Sequence, residues 1–396
     1  MDKAVYRKEV TEELSTILRY WMEKMPDEHW GGFFGRVDGE DRVHPDAPKG
    51  LVLNSRILWA FSAGYHMTGE ASYRKVAQRA YEYLAAHFID KQYGGAFWSL
   101  SADGQPLEDR KQIYGQAFCL YGYCEYHIAT GDRGALREAI GLFRAIEQYS
   151  RDHVRNGYYE AFTRDWQSLD DQRLSAKDAN EKKTMNTHLH LLEAYTNLYR
   201  SWPDPLLRER LKDLLEVFDL HMINADTGHL VLFSGDDWSP RSGIASYGHD
   251  IEAAWLLQEA AIVIGDEHWM ERTRSLALLL AGAAAEGLDA DGGLWYEREE
   301  GGPVPEKHWW PQAEAMVGFW NAAQVSGSEI WEQRSIGSWV FIKKYIRDPA
   351  GREWYWGVGA DHRPMPGQDK AGFWKCPYHN SRACLEMMRR LESRSA

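Results

Sequence analysis

Apolar residues recur at spacings of three and four through ten stretches of this chain, and the stretches come in pairs. They are residues 50–68 with 72–88, 112–130 with 134–150, 185–202 with 205–222, 247–264 with 267–285, and 309–325 with 329–346. Such spacing puts apolar side chains on one helical face, so each stretch predicts a helix with a buried stripe. Within most pairs the break is a short turn: Gly69-Glu70, Gly131-Asp132 or Gly265-Asp266. Glycine tolerates the left-handed conformation that ends a helix, and the following acid can cap the next one. Two more stretches, 6–24 and 377–391, carry the pattern without a neighbour in sequence.

Between the pairs a glycine followed by aromatics recurs. The segments are GGFFG at Gly31, GGAFW at Gly94, GYYEAF at Gly157, GHLVLF at Gly228 and GGLWYE at Gly292, separated by 63, 63, 71 and 64 residues. A shifted sixth copy is Glu353-Trp354-Tyr355-Trp356-Gly357. A period of this size marks an internal repeat whose units bury their apolar faces against one another. Five helix pairs plus the two terminal helices make six pairs. The expected fold is therefore all-α, an (α/α)6 barrel of twelve helices forming a single domain over residues 1–396. Short β-hairpin loops should lie at one end. An open solenoid is the alternative, but it would leave both terminal helices without a partner. In the barrel all six glycine–aromatic segments share the end where the inner helices begin, and function should gather there.

Composition narrows the partners. The net charge is −13, without a long basic run, which argues against nucleic acid. No run of about 18 apolar residues occurs, so no membrane span is expected. The first thirty residues are charged and amphipathic, unlike a signal peptide. The four cysteines form no CxxC pair, and free thiols in a reducing cytoplasm are the default. The 18 tryptophans and 21 tyrosines exceed what punctuation needs. They fill a core or stack on flat ligands such as sugar rings. The chain is expected to be a monomer or weak homodimer that binds a small sugar.

The first turns of the inner helices gather polar groups: Arg56; Tyr114 and Gln116; Asn186, His188 and His190; His249, Asp250 and Glu252; Trp309, Trp310, Gln312 and Glu314; His379 and Asn380. A single such group is usually a cap or a satisfied buried residue, but six sets converging on one mouth suggest a site. Residues two apart point about 200° apart around a helix, so His188 and His190 cannot both face a cavity. Asn186, His190 and Glu193 share a face, and His190 is the expected site residue. His249 and Glu252 share another, and Glu252 is expected to orient that imidazole. Histidines can bind zinc, but HExxH is absent and the candidates lie on three helices. Acid–base work is the stronger reading, since histidine titrates near neutrality. Arg56, permanently charged, suits an enediolate oxygen. Trp309, Trp310, Trp374, Tyr114 and Tyr378 flank these groups as candidate stacking surfaces.

Taken together, MNTHLHLLEAY, YGHDIEAAWLL, WWPQAEA and WKCPYHNSRACLE resemble the N-acylglucosamine 2-epimerase superfamily, most closely its cellobiose 2-epimerase branch. The likeness runs from GGFFG to CLEMM. It implies an (α/α)6 barrel, no cofactor, and epimerisation at C2 of a reducing-end aldose. In that chemistry the ring opens, one histidine takes the C2 proton to give a cis-enediol, and a second returns a proton. Carried over by motif, that pair is His249 and His379, with His190 and Arg56 holding O1 and O2. Asn186, Tyr114, Glu252, Glu314 and Asn380 would shape the site, and Trp309 and Trp374 would stack on the sugars. The aromatic surroundings of Lys375 favour a β-1,4-linked disaccharide of the cellobiose, lactose or mannobiose type.

Other readings stand beside this one. Epimerases and aldose–ketose isomerases of free mannose or glucose share the motif set or the enediol. A glycoside hydrolase on the same barrel would use Glu252 and Glu314 as its carboxyl pair. A non-catalytic sugar-binding module would bind without exchanging the C2 hydrogen.

Overall fold

A computed structural model describes residues 1–392. Twelve helices occupy the described residues: α1 Lys3–Lys24, α2 Leu51–Thr68, α3 Ala71–Tyr83, α4 Ile113–Thr130, α5 Arg133–Tyr149, α6 Met185–Ser201, α7 Pro205–Val217, α8 Tyr247–Ile264, α9 Glu267–Ala284, α10 Trp309–Ser326, α11 Glu329–Phe341 and α12 His379–Arg390. The even-numbered helices pack in the order α2, α4, α6, α8, α10, α12 and back to α2, which closes an inner ring. Each odd-numbered helix from α3 to α11 packs on the inner helix before it, and α1 packs on α12. This is the (α/α)6 barrel, with the two terminal helices forming the sixth pair.

The two rings differ in how they are buried. Outer helix α5 buries a stripe, Ala135, Ala139, Leu142, Phe143 and Ile146, as the three–four spacing predicts. Inner helix α4 is buried without interruption from Ile113 to Tyr126. It touches neighbours on every side, so the single-stripe expectation is corrected for the inner ring. Close approach inside that ring needs glycine. A Cβ at Gly122 would stand 2.8 Å from the Ser55 carbonyl oxygen, and one at Gly318 2.5 Å from that of Ile251.

The turns between paired helices follow the expected chemistry. Gly69, Gly131 and Gly265 are left-handed. Glu70, Asp132 and Asp266 accept backbone N–H bonds from the next helix. Three outer helices extend differently from expectation: α3, α7 and α11 widen into π-helical turns at Leu84–Phe88, Phe218–Met222 and Ile342–Ile346.

Short β hairpins lie at the other end, as expected. Each of the first five glycine–aromatic segments closes on itself through an antiparallel bridge, such as Pro26 with Phe33 and Ile89 with Ala96, and ladders also join one segment to another. Lys49–Gly50, Lys111–Gln112, Lys183–Thr184 and Lys307–His308 each lead into an inner helix. Each pairs with the strand of the following segment: 99–100, 161–162, 233–234 and 357–358. The ladders thus tie successive repeats together. The lysine of each entry strand is buried against an aspartate just after the preceding outer helix. The pairs are Lys49–Asp27 at 2.7 Å, Lys111–Asp90 at 2.9 Å, Lys183–Asp152 at 2.8 Å and Lys307–Asp289 at 2.8 Å. Lys370–Asp348, at 2.8 Å, serves the last segment. The segment before α8 is the exception. Asn224 takes the aspartate's place there, and His229 bonds Asp250 on α8 at 2.7 Å. No helix among the described residues is long and apolar enough to cross a membrane.

Candidate active site

A continuous chain of contacts joins the inner-helix starts at the mouth. The Arg56 guanidinium donates to the Tyr114 hydroxyl at 2.8 Å and lies 4.1 Å over the Phe118 ring. The His190 ring stands edge-on to Tyr114, centroids 5.2 Å apart, and 4.7 Å from Phe118. Phe118 meets Tyr378, and Tyr378 meets His379 at 4.8 Å. Trp310 completes the arc, 5.6 Å from His379 and 4.6 Å from His249. Arg56 is buried, with no carboxylate partner among the described residues. Its Nη1 faces the Cys376 sulfur at 3.4 Å.

The three candidate histidines are held neutral. Burial lowers His249 to about 3 and lowers His190 as well. Burial, with Arg56 and Arg382 facing it, holds His379 well below the ordinary histidine value. His190 Nδ1 bonds Glu193 at 3.0 Å, His379 Nδ1 bonds Glu314 at 2.7 Å, and His249 Nδ1 meets the Ser246 hydroxyl at 2.9 Å. His188, on the opposite side of α6, is a structural pin. Its Nδ1 donates to the Thr184 carbonyl at 2.7 Å, and its Nε2 accepts the Tyr158 N–H at 2.9 Å.

Behind His379 sits Arg382, one turn along α12. Its guanidinium donates to Glu193, to Glu252 at 2.5 Å and to Glu314 at 2.6 Å. The Trp255 indole N–H also donates to Glu314, at 3.1 Å. Burial and the Glu314 charge push Glu252 up to about 8, so it carries a proton at neutrality. Although burial opposes ionisation, Arg382 and His190 hold Glu193 at about 2. Burial raises Glu314 as well, but Arg382 and the Trp255 indole N–H donate to it, so Glu193 and Glu314 are the carboxylates that face Arg56 and Arg382. Donor atoms of Glu252, Glu314 and His379 lie within 4.8 Å of one another, a spacing a cation could use. The Arg382 guanidinium already occupies the positive position between those carboxyl groups, so the donor set does not fit a metal.

Several expected roles change. Glu252 does not orient His249: it lies on Arg382, 3.9 Å from His379, because α8 turns it toward α12. Trp309 is buried in the wall, 4.6 Å from Trp356 and with the Lys375 ammonium 4.9 Å over its ring. The half-exposed rings at the mouth are Trp310 and Trp374, the latter 5.9 Å from both Tyr114 and Trp98. Asn380 is fully buried. Its amide donates to Glu353 at 2.7 Å and its oxygen accepts the Ser381 N–H, so it holds the start of α12. Asn186 is half-buried, with an unpartnered Oδ1. Arg382, Ser246 and Cys376 were not expected in the site, and Glu193 was placed on the His190 face without a role. Arg382 and Glu193 each follow a site histidine by three residues, a helical-face signal present in the sequence. A cleft of about 410 Å³ at the opposite end, lined by Lys3, Trp320, Glu332 and Arg390, holds none of these groups.

Comparison with known proteins agrees with this frame. The family model for N-acylglucosamine 2-epimerase matches residues 32–383. A cellobiose 2-epimerase of Bacteroides fragilis is 48% identical over 97% of this chain and 99% of its own. One from Dictyoglomus turgidum is 36% identical over 99% and 100%. The solved structure of a cellobiose 2-epimerase from Bacillus thermoamylovorans superposes with a TM-score of 0.93 at 39% identity, covering 98% of this chain and all of that one. The chain belongs to the N-acylglucosamine 2-epimerase family. Within it, the chain is a carbohydrate epimerase, an isomerase by class, similar along its whole length to the cellobiose 2-epimerases.

Proposed function

We propose that this epimerase inverts C2 of the reducing-end aldose of a β-1,4-linked disaccharide, with no cofactor. The observation that carries the reading is a pair of neutral imidazoles, His249 and His379, both next to the Trp310 ring at 4.6 and 5.6 Å. The open-chain aldose lies against Trp310. Nε2 of one histidine takes the C2 proton, and the C–H electron pair moves to give an enediolate with its charge on O1. Arg56, with no carboxylate of its own, supports that oxygen together with His190. The intermediate turns its other face, and the second histidine, which takes up a proton from solvent as the first releases its own, returns that proton from Nε2 to C2. Glu314 stabilises the imidazolium formed at His379. Trp374 provides a surface for the second sugar.

Hydrolysis fits the geometry less well. It needs two carboxyl groups flanking a glycosidic bond, whereas Glu252 and Glu314 share one guanidinium nitrogen. Incubation with cellobiose in heavy water tests the reading. The expected product is glucosyl-mannose with deuterium at C2. Free glucose, or epimer without deuterium, would overturn it. A panel of glucose, mannose, cellobiose, lactose, mannobiose and N-acetylglucosamine should give the highest kcat/KM on disaccharides. A preference for free mannose, or a ketose as main product, would move the assignment to the isomerase alternative.

A further inference from the structure

The residue before α8 is a serine that does not do what an N-terminal capping serine normally does. Such a serine accepts a backbone N–H from the first turn of its own helix. Ser246 has the extended backbone of a cap, but its hydroxyl accepts no such bond. It turns instead to the side chain at the third helical position, where its oxygen lies 2.9 Å from His249 Nδ1. The serine is fully buried. The chain entering it is fixed by two backbone bonds between Ala245 and Arg298, at 3.0 and 2.8 Å. The hydroxyl is therefore held in place, and its one side-chain partner among the described residues is a candidate catalytic imidazole. Threonine or aspartate at the equivalent position of other helices bonds the backbone, as Thr184 does for Thr187.

We infer that Ser246 is the positioning residue of His249, fixing Nδ1 so that Nε2 is the nitrogen presented to C2. Glu314 does the same for His379, with one chemical difference. An ionised carboxylate only accepts, so it locks the proton on Nδ1 of His379. A hydroxyl both donates and accepts. It accepts from Nδ1–H while His249 is a base or an imidazolium, and can donate to Nδ1 when the ring carries its proton on Nε2. Through the proton transfer Ser246 neither gains nor loses a proton. The C2 proton goes to Nε2, the electron pair goes to the enediolate, and Nδ1–H leans on Oγ. His249 is thus the tautomerically mobile member of the pair and His379 the fixed one.

This rests on the two-histidine reading proposed above, and one measurement separates the two. Exchange of the C2 hydrogen with heavy water, followed by proton NMR from each purified epimer at early times, reports each histidine alone. The wild-type chain should wash out C2–H from both epimers. Ser246→Ala should slow washout about tenfold from one epimer and leave the other near wild type, with KM little changed. Ser246→Thr, which keeps the hydroxyl, should restore it. Ser246→Gly removes the hydroxyl while remaining a tolerated cap, and serves if the alanine variant folds poorly. Equal slowing from both epimers, or none from either, overturns the role of Ser246. A wild-type chain that exchanges nothing overturns the two-histidine reading and this inference with it.

Discussion

Two sets of buried charges share the mouth of this barrel, and they are built on opposite rules. In the loop collar each lysine meets an aspartate, from Lys49–Asp27 to Lys370–Asp348, with Arg164 joining Asp90 and Asp291 joining Lys307, and the pairs repeat with the helices. In the central cluster nothing is matched one to one. Arg382 serves three carboxyl groups, Glu252 keeps a proton, and Arg56 has no carboxylate. Matched pairs hold the frame, since each buried charge finds its partner within the fold. The unmatched charges sit where a substrate that develops charge can complete them. The histidines of the mouth divide the same way. His188 has both nitrogens bonded to backbone, while His190, His249 and His379 each spend only Nδ1 on the protein.

The largest expected effect tests that division directly. His249→Ala and His379→Ala should each lower turnover at least about 100-fold, in the range for acid–base groups. His188→Ala should cost mainly thermal stability, because it frees the Tyr158 N–H and opens a gap beside Trp238. Steady-state kinetics with thermal melts on the three variants decides the matter. Equal loss of turnover at His188 and His379 would erase the distinction between the bonded and the open histidines.

Much of this was legible before any coordinates. The three–four spacing and the glycine–aromatic period specify twelve helices, and the unpaired segments at 6–24 and 377–391 specify closure. The two-residue offset of His188 and His190 was enough to say that only one can face the cavity, and the polar neighbours on its face pointed to His190, because helical geometry is local. What escaped depends on contacts between repeats. Glu252 sits one turn from His249 in sequence, yet α12 supplies its partner. Trp309 and Trp310 are neighbours in sequence, but only the packing of Lys375 and Trp356 shows which one is covered. The lysine two residues before α2, α4, α6 and α10 is a periodic signal too. Its meaning appears only when each aspartate is brought to it by the preceding helix.

The next test attacks the collar. Lys49→Met removes one member of a fully buried pair and leaves Asp27 with backbone N–H partners only. Breaking such a pair by removing one member costs about 3–5 kcal/mol, so the melting temperature should fall by many degrees while turnover of the folded protein at low temperature stays within about threefold. A collapse of turnover with an unchanged melt would place Lys49 in the chemistry and undo the division between frame and site.

The smallest effect sharpens the account of the central cluster. Glu252 lies at about 8 in the folded chain against an ordinary 4.5, so between those values the native state holds a proton that the unfolded state has lost. Its contribution to stability is therefore complete below about pH 4.5 and declines as pH rises through about 8. Glu252→Gln keeps the shape of the protonated carboxyl and cannot ionise. It should change the melting temperature little near pH 4, where the wild type keeps the proton folded and unfolded, and lose fewer degrees than the wild type between about pH 4.5 and pH 8. Differential scanning fluorimetry across that range, with turnover measured in parallel, reads both. If the variant instead melts far below the wild type near pH 6, the carboxyl is ionised in the native cluster. The charge balance between Arg56, Arg382, Glu193 and Glu314 would then have to be redrawn with a third anion beside His379.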